Sequence, residues 1–234
     1  MKKTLICVLI CAPLFTGCVS TSDDKSAATL DRNQAVSELT VKMDELGYST
    51  VAIQPGVDEF LNMAAAILER QRNVIGEYRK QTENYKDVQA FLYAYQNVTP
   101  EELKLAIEQF DAGAADENEK IGHKITAYTQ ANENVYNQNV ELATTLAVEI
   151  AKSTYLLSQH GTEVAQATAL KVASDWMPSF TDDKKEEDPK DLGNALLKAV
   201  DQLDLALEAN DIIDLELATI DAVKQLQQEQ EAKS

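Results

Sequence analysis

The chain has little of almost everything that signals chemistry. Its 234 residues include three cysteines, Cys7, Cys11 and Cys18, all within the first eighteen positions. None remains in the body for a disulfide framework, a thiolate metal site or a thiol nucleophile. There are two histidines, His123 and His160, and one tryptophan, Trp176. The G-x-S-x-G, H-E-x-x-H, G-x-x-x-x-G-K and C-x-x-C patterns do not occur. The nucleophile elbow, the helical zinc-protease pair, the phosphate cradle and the dithiol motif therefore have no basis here. Basic side chains are few as well, 21 Lys and Arg against 39 Asp and Glu, for a net charge of −18. A chain this acidic does not grip nucleic acid or anionic head groups by charge, so no nucleic-acid partner is expected. Glycine (8) and proline (5) are scarce. That scarcity, with plentiful Ala, Gln, Glu and Leu, predicts helices.

The amino terminus carries an address. Lys2 and Lys3 precede Thr4–Phe15, an apolar stretch that contains Pro13, and Thr16-Gly17-Cys18 follows. A basic start, a short apolar core and a small-residue exit make a secretory signal. The stretch is shorter than the roughly 20 apolar residues needed to cross a bilayer. Leu14-Phe15-Thr16-Gly17-Cys18 resembles the lipobox of bacterial lipoproteins, with Phe15 where that class usually has leucine. The resemblance implies cleavage before Cys18, acylation of its sulfur and its new amino group, and a signal peptide spanning 1–17. Loss of Lys2 and Lys3 takes the charge from −18 to −20. In that class Asp after the cysteine marks inner-membrane retention. Val19 here implies the outer membrane, with the body facing the periplasm. Three acyl chains hold a protein stably, whereas one does so only marginally.

Residues 18–27 read as a lipidated flexible tether, since "VSTSDDKS" has no apolar repeat. Residues 28–234 read as one helical domain. Val36, Leu39, Met43 and Leu46 predict a first helix, stopped at Gly47. "YSTVAIQPG" predicts an extended connector. From Phe60 to Tyr95 a seam steps by four and three through Ala64, Ile67, Gln71, Val74, Tyr78, Gln81, Tyr85, Val88 and Leu92. That spacing predicts one coiled-coil-like helix on the order of 55–60 Å long. Thr99-Pro100-Glu101-Glu102 predicts a capping box that starts another long helix. Gly113 and Gly122 mark places where it can bend. A mobile loop is expected at about 177–190, "MPSFTDDKKEEDP". Asn210-Asp211 reads as a stop followed by a new start. Together these predict an all-α, elongated antiparallel helical bundle with long coiled-coil-like helices.

Candidate sites are few. Cys18 is the lipid attachment point. Glu119 and His123 are four apart, and His160 and Glu163 three apart, so on one helix face either pair can ligate a metal. "SQHGTE" resembles, over four residues, the H-x-x-E element of imelysin-like periplasmic proteins. Gln71, Asn132 and Asn139 fall on seams and form a polar seam, which either fixes register or lines a groove for a partner. Of Tyr78, Tyr85, Tyr95, Tyr128, Tyr136 and Tyr155, most read as core aromatics with the hydroxyl at its edge, and any exposed subset as a partner-binding patch. No cofactor is expected. The leading functional expectation is a non-catalytic, lipid-anchored envelope protein that binds a protein partner as a scaffold or assembly factor, with self-association left open. The alternatives are an exported ligand- or metal-binding module and a surface-exposed interaction or membrane-active factor.

Overall fold

The computed structural model describes residues 23–176 and 192–232. Cys18 and the loop expected at about 177–190 lie outside the described residues. Among the described residues the chain is all-α, with no strand. In order come α1 (Asp23–Leu46), α2 (Asp58–Thr82), α3 (Lys86–Ala94) and α4 (Pro100–Asp111). A 3-10 turn (Glu117–Glu119), α5 (Ile121–Ala131), α6 (Glu133–Gln159), α7 (Gly161–Trp176) and α8 (Leu192–Glu231) follow.

Helix α1 starts at Asp23, inside the segment expected as tether. It buries Val36, Leu39 and Met43. It ends where Gly47 takes φ 75° and its N–H donates to the Met43 carbonyl, a left-handed stop that suits glycine. The connector is pinned rather than loose. Asn62 accepts from Val51 N–H and donates back to its carbonyl, while the Asp58 carboxylate takes the Ile53 and Gln54 N–H groups.

The α2 seam is as the spacing predicts: Phe60, Ala64, Ile67, Gln71, Val74 and Tyr78 are all buried. The single long helix is not. The chain leaves α2 after Thr82 through two tight turns, Asn84 N–H to the Gln81 carbonyl and Tyr85 N–H to the Thr82 carbonyl. Tyr85 then sets its ring edge-on to Tyr128, with centroids 5.4 Å apart. Tertiary contact overrides a continuous heptad pattern here. The break lets α3 pack Val88, Phe91 and Leu92 into the core in a new direction.

Thr99 forms the expected capping box. Its hydroxyl accepts from Glu102 N–H at 3.3 Å, and the Glu102 carboxylate takes Thr99 N–H at 2.9 Å. The long helix expected from there is four. It ends first beside Gly113, then at Asn132 and again at His160. Asp111, at the end of α4, accepts from Ile121 N–H and so caps the start of α5.

Helix α8 corrects the sequence reading in the other direction. It runs unbroken through Asn210-Asp211, because both sides of that pair are already seated in the core. Its buried face is Leu196, Ala199, Leu203, Ala206, Ala209, Ile213, Ile220 and Val223. The spacing of Leu192, Leu196, Val200, Leu203 and Leu207 predicts the apolar face here; Leu196 and Leu203 are buried, but Leu192 and Val200 are half-buried and Leu207 is exposed. The alanines let α2, α6 and α7 approach closely; all three pack on α8. The core is one continuous cluster drawn from α1 to α8.

At Gly193 the backbone of α7 lies close against α8. A Cβ there would lie 2.3 Å from the Glu163 carbonyl oxygen and 2.9 Å from Ala167 Cβ. Backbone cannot step aside as a side-chain tip can. Gly193→Ala is expected to push α7 off α8 and cost about 1–3 kcal/mol. Urea unfolding of the full chain checks this, with Gly113→Ala, whose Cβ would meet its nearest atom at an ordinary 3.6 Å, as the unchanged control.

Candidate functional site

Two polar layers cross the core where α2, α6 and α8 meet. In the first, Gln71 donates to the Asn139 side-chain oxygen at 3.0 Å. Asn139 donates to Asp214 at 2.8 Å and to the Asn210 carbonyl at 3.3 Å. Asn210 donates to the other Asp214 oxygen at 2.8 Å. In the second, the Glu216 carboxylate accepts from three phenols: Tyr78 at 2.7 Å, Tyr128 at 2.7 Å and Tyr136 at 2.9 Å. Gln89 donates to the Tyr78 oxygen at 3.0 Å. From the first layer to the second, α2 advances from 71 to 78 and α8 from 210 to 216, while α6 falls from 139 to 136. Helices α2 and α8 therefore run together, and α6 runs against both.

The second layer is interior, and the first reaches solvent at the exposed Asp214. Gln71 and Asn139 are fully buried, and Glu216 is 1 % exposed. Burial, and next the charge of Glu216, push the Tyr128 and Tyr136 hydroxyls well above the ordinary phenol range, so both keep their protons. A carboxylate held by proton-retaining phenols is a lock between α2, α5, α6 and α8. It presents no open face to a substrate. Among the described residues, Gln71 Oε1, Asn132 Oδ1, Glu149 Oε2 and Asn210 Oδ1 find no hydrogen-bond partner. Such buried orphans carry the cost of desolvation.

The expected site residues are thereby sorted. Gln71 and Asn139 touch, as a polar seam requires. Asn132 stands apart: it closes the end of α5, its side chain donating to the Tyr128 carbonyl at 3.0 Å. His160 is the half-buried corner between α6 and α7, and Glu163 is exposed in the first turn of α7. The shared helix face assumed for that pair is interrupted by the helix break. Glu119 is not on a helix with His123 either; it sits in the 3-10 turn and accepts from Ala115 N–H at 2.9 Å. Among the described residues no three His, Cys, Asp or Glu side chains gather where a metal ion would sit. No helix among them is long and apolar enough to cross a membrane.

The chain matches no family model, no curated protein and no solved structure.

Two surface features remain. One is a pocket of about 360 Å³ lined by Tyr85, Asp87, Val88, Asn118, His123, Lys124 and Ala127. Its Lys124 ammonium is committed, ion-paired to Asp87 and lying 5.7 Å from the centre of the Phe110 ring. The other is the outer face of α6. Val140 is 58 % exposed, Val148 51 % and Tyr155 62 %, with Thr144, Ala151 and Gln159 exposed between and beyond them. No residue of this stripe is charged, on a chain whose residues are 26 % charged. The two charges at its flank are paired within the chain. Glu141 meets Arg70 at 3.0 Å, and Lys152 meets the buried Glu149 at 2.7 Å.

The sequence reading anticipated Tyr155 only as one of six tyrosines, and missed Glu216 altogether. The signal for Glu216 was present. Ile213, Glu216, Ile220 and Val223 keep the three-and-four step, so a carboxylate fell on a core position. The equally regular set Ile213, Leu217, Ile220 and Val223 predicts Leu217 for that place, but Leu217 is only half-buried and Glu216 takes the core position.

Proposed function

We propose that this chain is a lipid-anchored, non-catalytic helical protein of the bacterial cell envelope that works by binding protein, in a scaffold or assembly role. The observation that carries the binding half is the uncharged outer face of α6. Large exposed apolar side chains along one helix face, rimmed by internally paired charges, suit a partner helix rather than a small substrate. The buried polar groups from Gln71 to Glu216 hold helices together. The anchoring half rests on the lipobox resemblance ending at Cys18, with Val19 favouring the outer membrane and its periplasmic side. Net acidity supports the same picture: the body is repelled by anionic head groups and stays at the membrane through the acyl chains.

A ligand-binding module in the polar seam has less support, because Gln71, Asn132 and Asn139 are buried and none of them lines the pocket beside Tyr85 and His123. The test is affinity purification of the chain from crosslinked, detergent-solubilised envelopes, with Cys18→Ala as control. The wild-type chain is expected to carry acyl groups on Cys18 and to bring down protein. The Cys18→Ala chain is expected to leave the membrane and lose that protein. Recovery of lipid alone would overturn the binding role; an unmodified Cys18 would overturn the anchor.

A further inference from the structure

We propose that the pocket between α3 and α5 binds a free α-amino acid with an apolar side chain. The site uses no residue of α6 and does not rest on the protein-binding reading above.

Tyr85 stands at the entry to α3, which adds Asp87 and Val88. Helix α5 presents His123, Lys124 and Ala127, and the 3-10 turn presents Asn118. This lining is held by bonds of its own. Ile121 N–H donates to Asp111, Asn118 N–H to Asp116 and Ala115 N–H to Glu119. The Tyr85 ring rests edge-on against Tyr128. A site that is already ordered loses little entropy on binding. Its volume, about 360 Å³, suits a small molecule.

The polar groups with unused capacity select the ligand. Lys124 gives one of its three N–H donors to Asp87 Oδ2 and lies beside the Phe110 ring. Among the described residues, Asp87 Oδ1, the Tyr85 hydroxyl and the side chains of Asn118 and His123 make no hydrogen bond. The pocket therefore holds an anion and a cation in direct contact, each able to bind more. An anion alone would meet Asp87 and a surface with 39 acidic against 21 basic residues. A cation alone would meet Lys124. A zwitterion avoids both conflicts. With its ammonium over the Asp87 carboxylate and its carboxylate over the Lys124 ammonium, the four charges alternate and the protein pair stays closed. That match needs ligand charges as close together as those of Asp87 and Lys124. In an α-amino acid a single carbon separates them. His123 and Asn118 supply further donors for the carboxylate. Val88, Ala127 and the Tyr85 ring are the apolar part of the lining, which favours an apolar side chain over a charged one.

The test is a saturation-transfer NMR titration of the full chain, purified in detergent, with L-leucine and L-phenylalanine. Charged hydrogen bonds to partly exposed partners give modest affinity, so a Kd on the order of 1 mM is expected. Leucine has an isomer, 6-aminohexanoate, with the same atoms and its charges five carbons apart. It is expected to bind at least about tenfold more weakly. N-acetyl-leucine, which lacks the ammonium, and leucinamide, which lacks the carboxylate, are expected to weaken by a similar factor. Two variants then assign the charges. Asp87→Asn is expected to erase the difference between leucine and its N-acetyl form, and Lys124→Gln the difference between leucine and its amide. The ion pair is 49 % exposed at Asp87 and 31 % at Lys124, so both variants are expected to keep the wild-type thermal melt. Lys104→Gln, on an exposed side chain of α4, is the control with unchanged binding. No saturable binding of either amino acid at about ten times the expected Kd overturns the site. Equal binding of leucine and 6-aminohexanoate overturns the α-amino acid as its ligand. Differences that survive unchanged in both variants overturn the roles of Asp87 and Lys124.

Discussion

Glu216→Leu is expected to destabilise the chain by about 3–5 kcal/mol, read as a lower urea midpoint with an unchanged slope. The loss is not that of a hydrophobic contact, since leucine buries more apolar surface than glutamate does. It arises because Tyr78, Tyr128 and Tyr136 all donate to this one carboxylate. Without it, buried hydroxyls on three helices lose their acceptor, each at a desolvation cost of about 1–3 kcal/mol, lessened where a ring can turn to another partner. Glu216→Gln keeps one acceptor oxygen and is expected to fall between. Changing all three tyrosines to phenylalanine in the Glu216→Leu background removes the stranded donors and is expected to restore most of the stability. A Glu216→Leu chain as stable as the wild type would mean the carboxylate is not the keystone.

The same cluster makes the fold sensitive to alkali. Folded Tyr128 and Tyr136 hold their protons far above the ordinary range, because of burial and then the neighbouring carboxylate charge. In the unfolded chain they ionise near pH 10. A folded-state pKa raised above the unfolded one gives stability that is complete below the unfolded value and is lost as pH rises past it. Stability is therefore expected to be flat from pH 7 to about 9 with respect to these groups and to drop steeply above about 10. The drop should be smaller in a Tyr128→Phe, Tyr136→Phe double variant. Urea midpoints measured across that range decide it.

The second large effect is in the Gln71–Asn139 layer. Asn139→Ala is expected to cost about 2–4 kcal/mol, because it opens a cavity and strips Gln71, Asn210 and Asp214 of their shared partner. The more telling variant replaces both amides. Gln71→Leu with Asn139→Leu removes the orphaned Gln71 oxygen along with the hydrogen bond. It is expected to recover the stability lost on Asn139→Ala, and to match or exceed the wild type. The cost should appear elsewhere. A buried amide pair ties residue 71 of α2 to residue 139 of α6 and penalises any other register, while leucines pack in several. Amide NMR resonances of the double variant are expected to broaden or multiply while its melt stays cooperative. A double variant less stable than Asn139→Ala alone would show that the amides contribute net stability rather than register.

How far the fold was legible varied with the range of the interactions involved. Gly47 and the Thr99–Glu102 box behave as the spacing says, because caps are closed within four residues and need nothing distant. The α2 seam also held, including Gln71, because helix periodicity is local. Breaks at residues 83–85, 132 and 160 were not visible, since residues on either side continue the apolar rhythm. What ends α2 is a packing choice, with Tyr85 meeting Tyr128 forty-three positions away in the chain. Asn210-Asp211 misled for the opposite reason. Their propensity to end a helix costs a fraction of a kcal/mol, and Asn210 recovers that by bonding Asp214 and accepting from Asn139.

The candidate binding face divides along the same line. That α6 is rich in Ala, Ser and Thr with few charges was plain in the sequence, but such a stretch reads as a helix covered on several sides, whereas Val148 and Tyr155 are exposed. By itself the sequence determined the helical class, the local caps, the net acidity and the lipobox-like start. These depend on composition or on residues within a few positions of one another. Tertiary structure alone decided that Val140, Val148 and Tyr155 turn out, and that three distant tyrosines converge on Glu216. Which of two workable faces a helix buries depends on what its neighbours offer. That offer is made by residues far away in the chain.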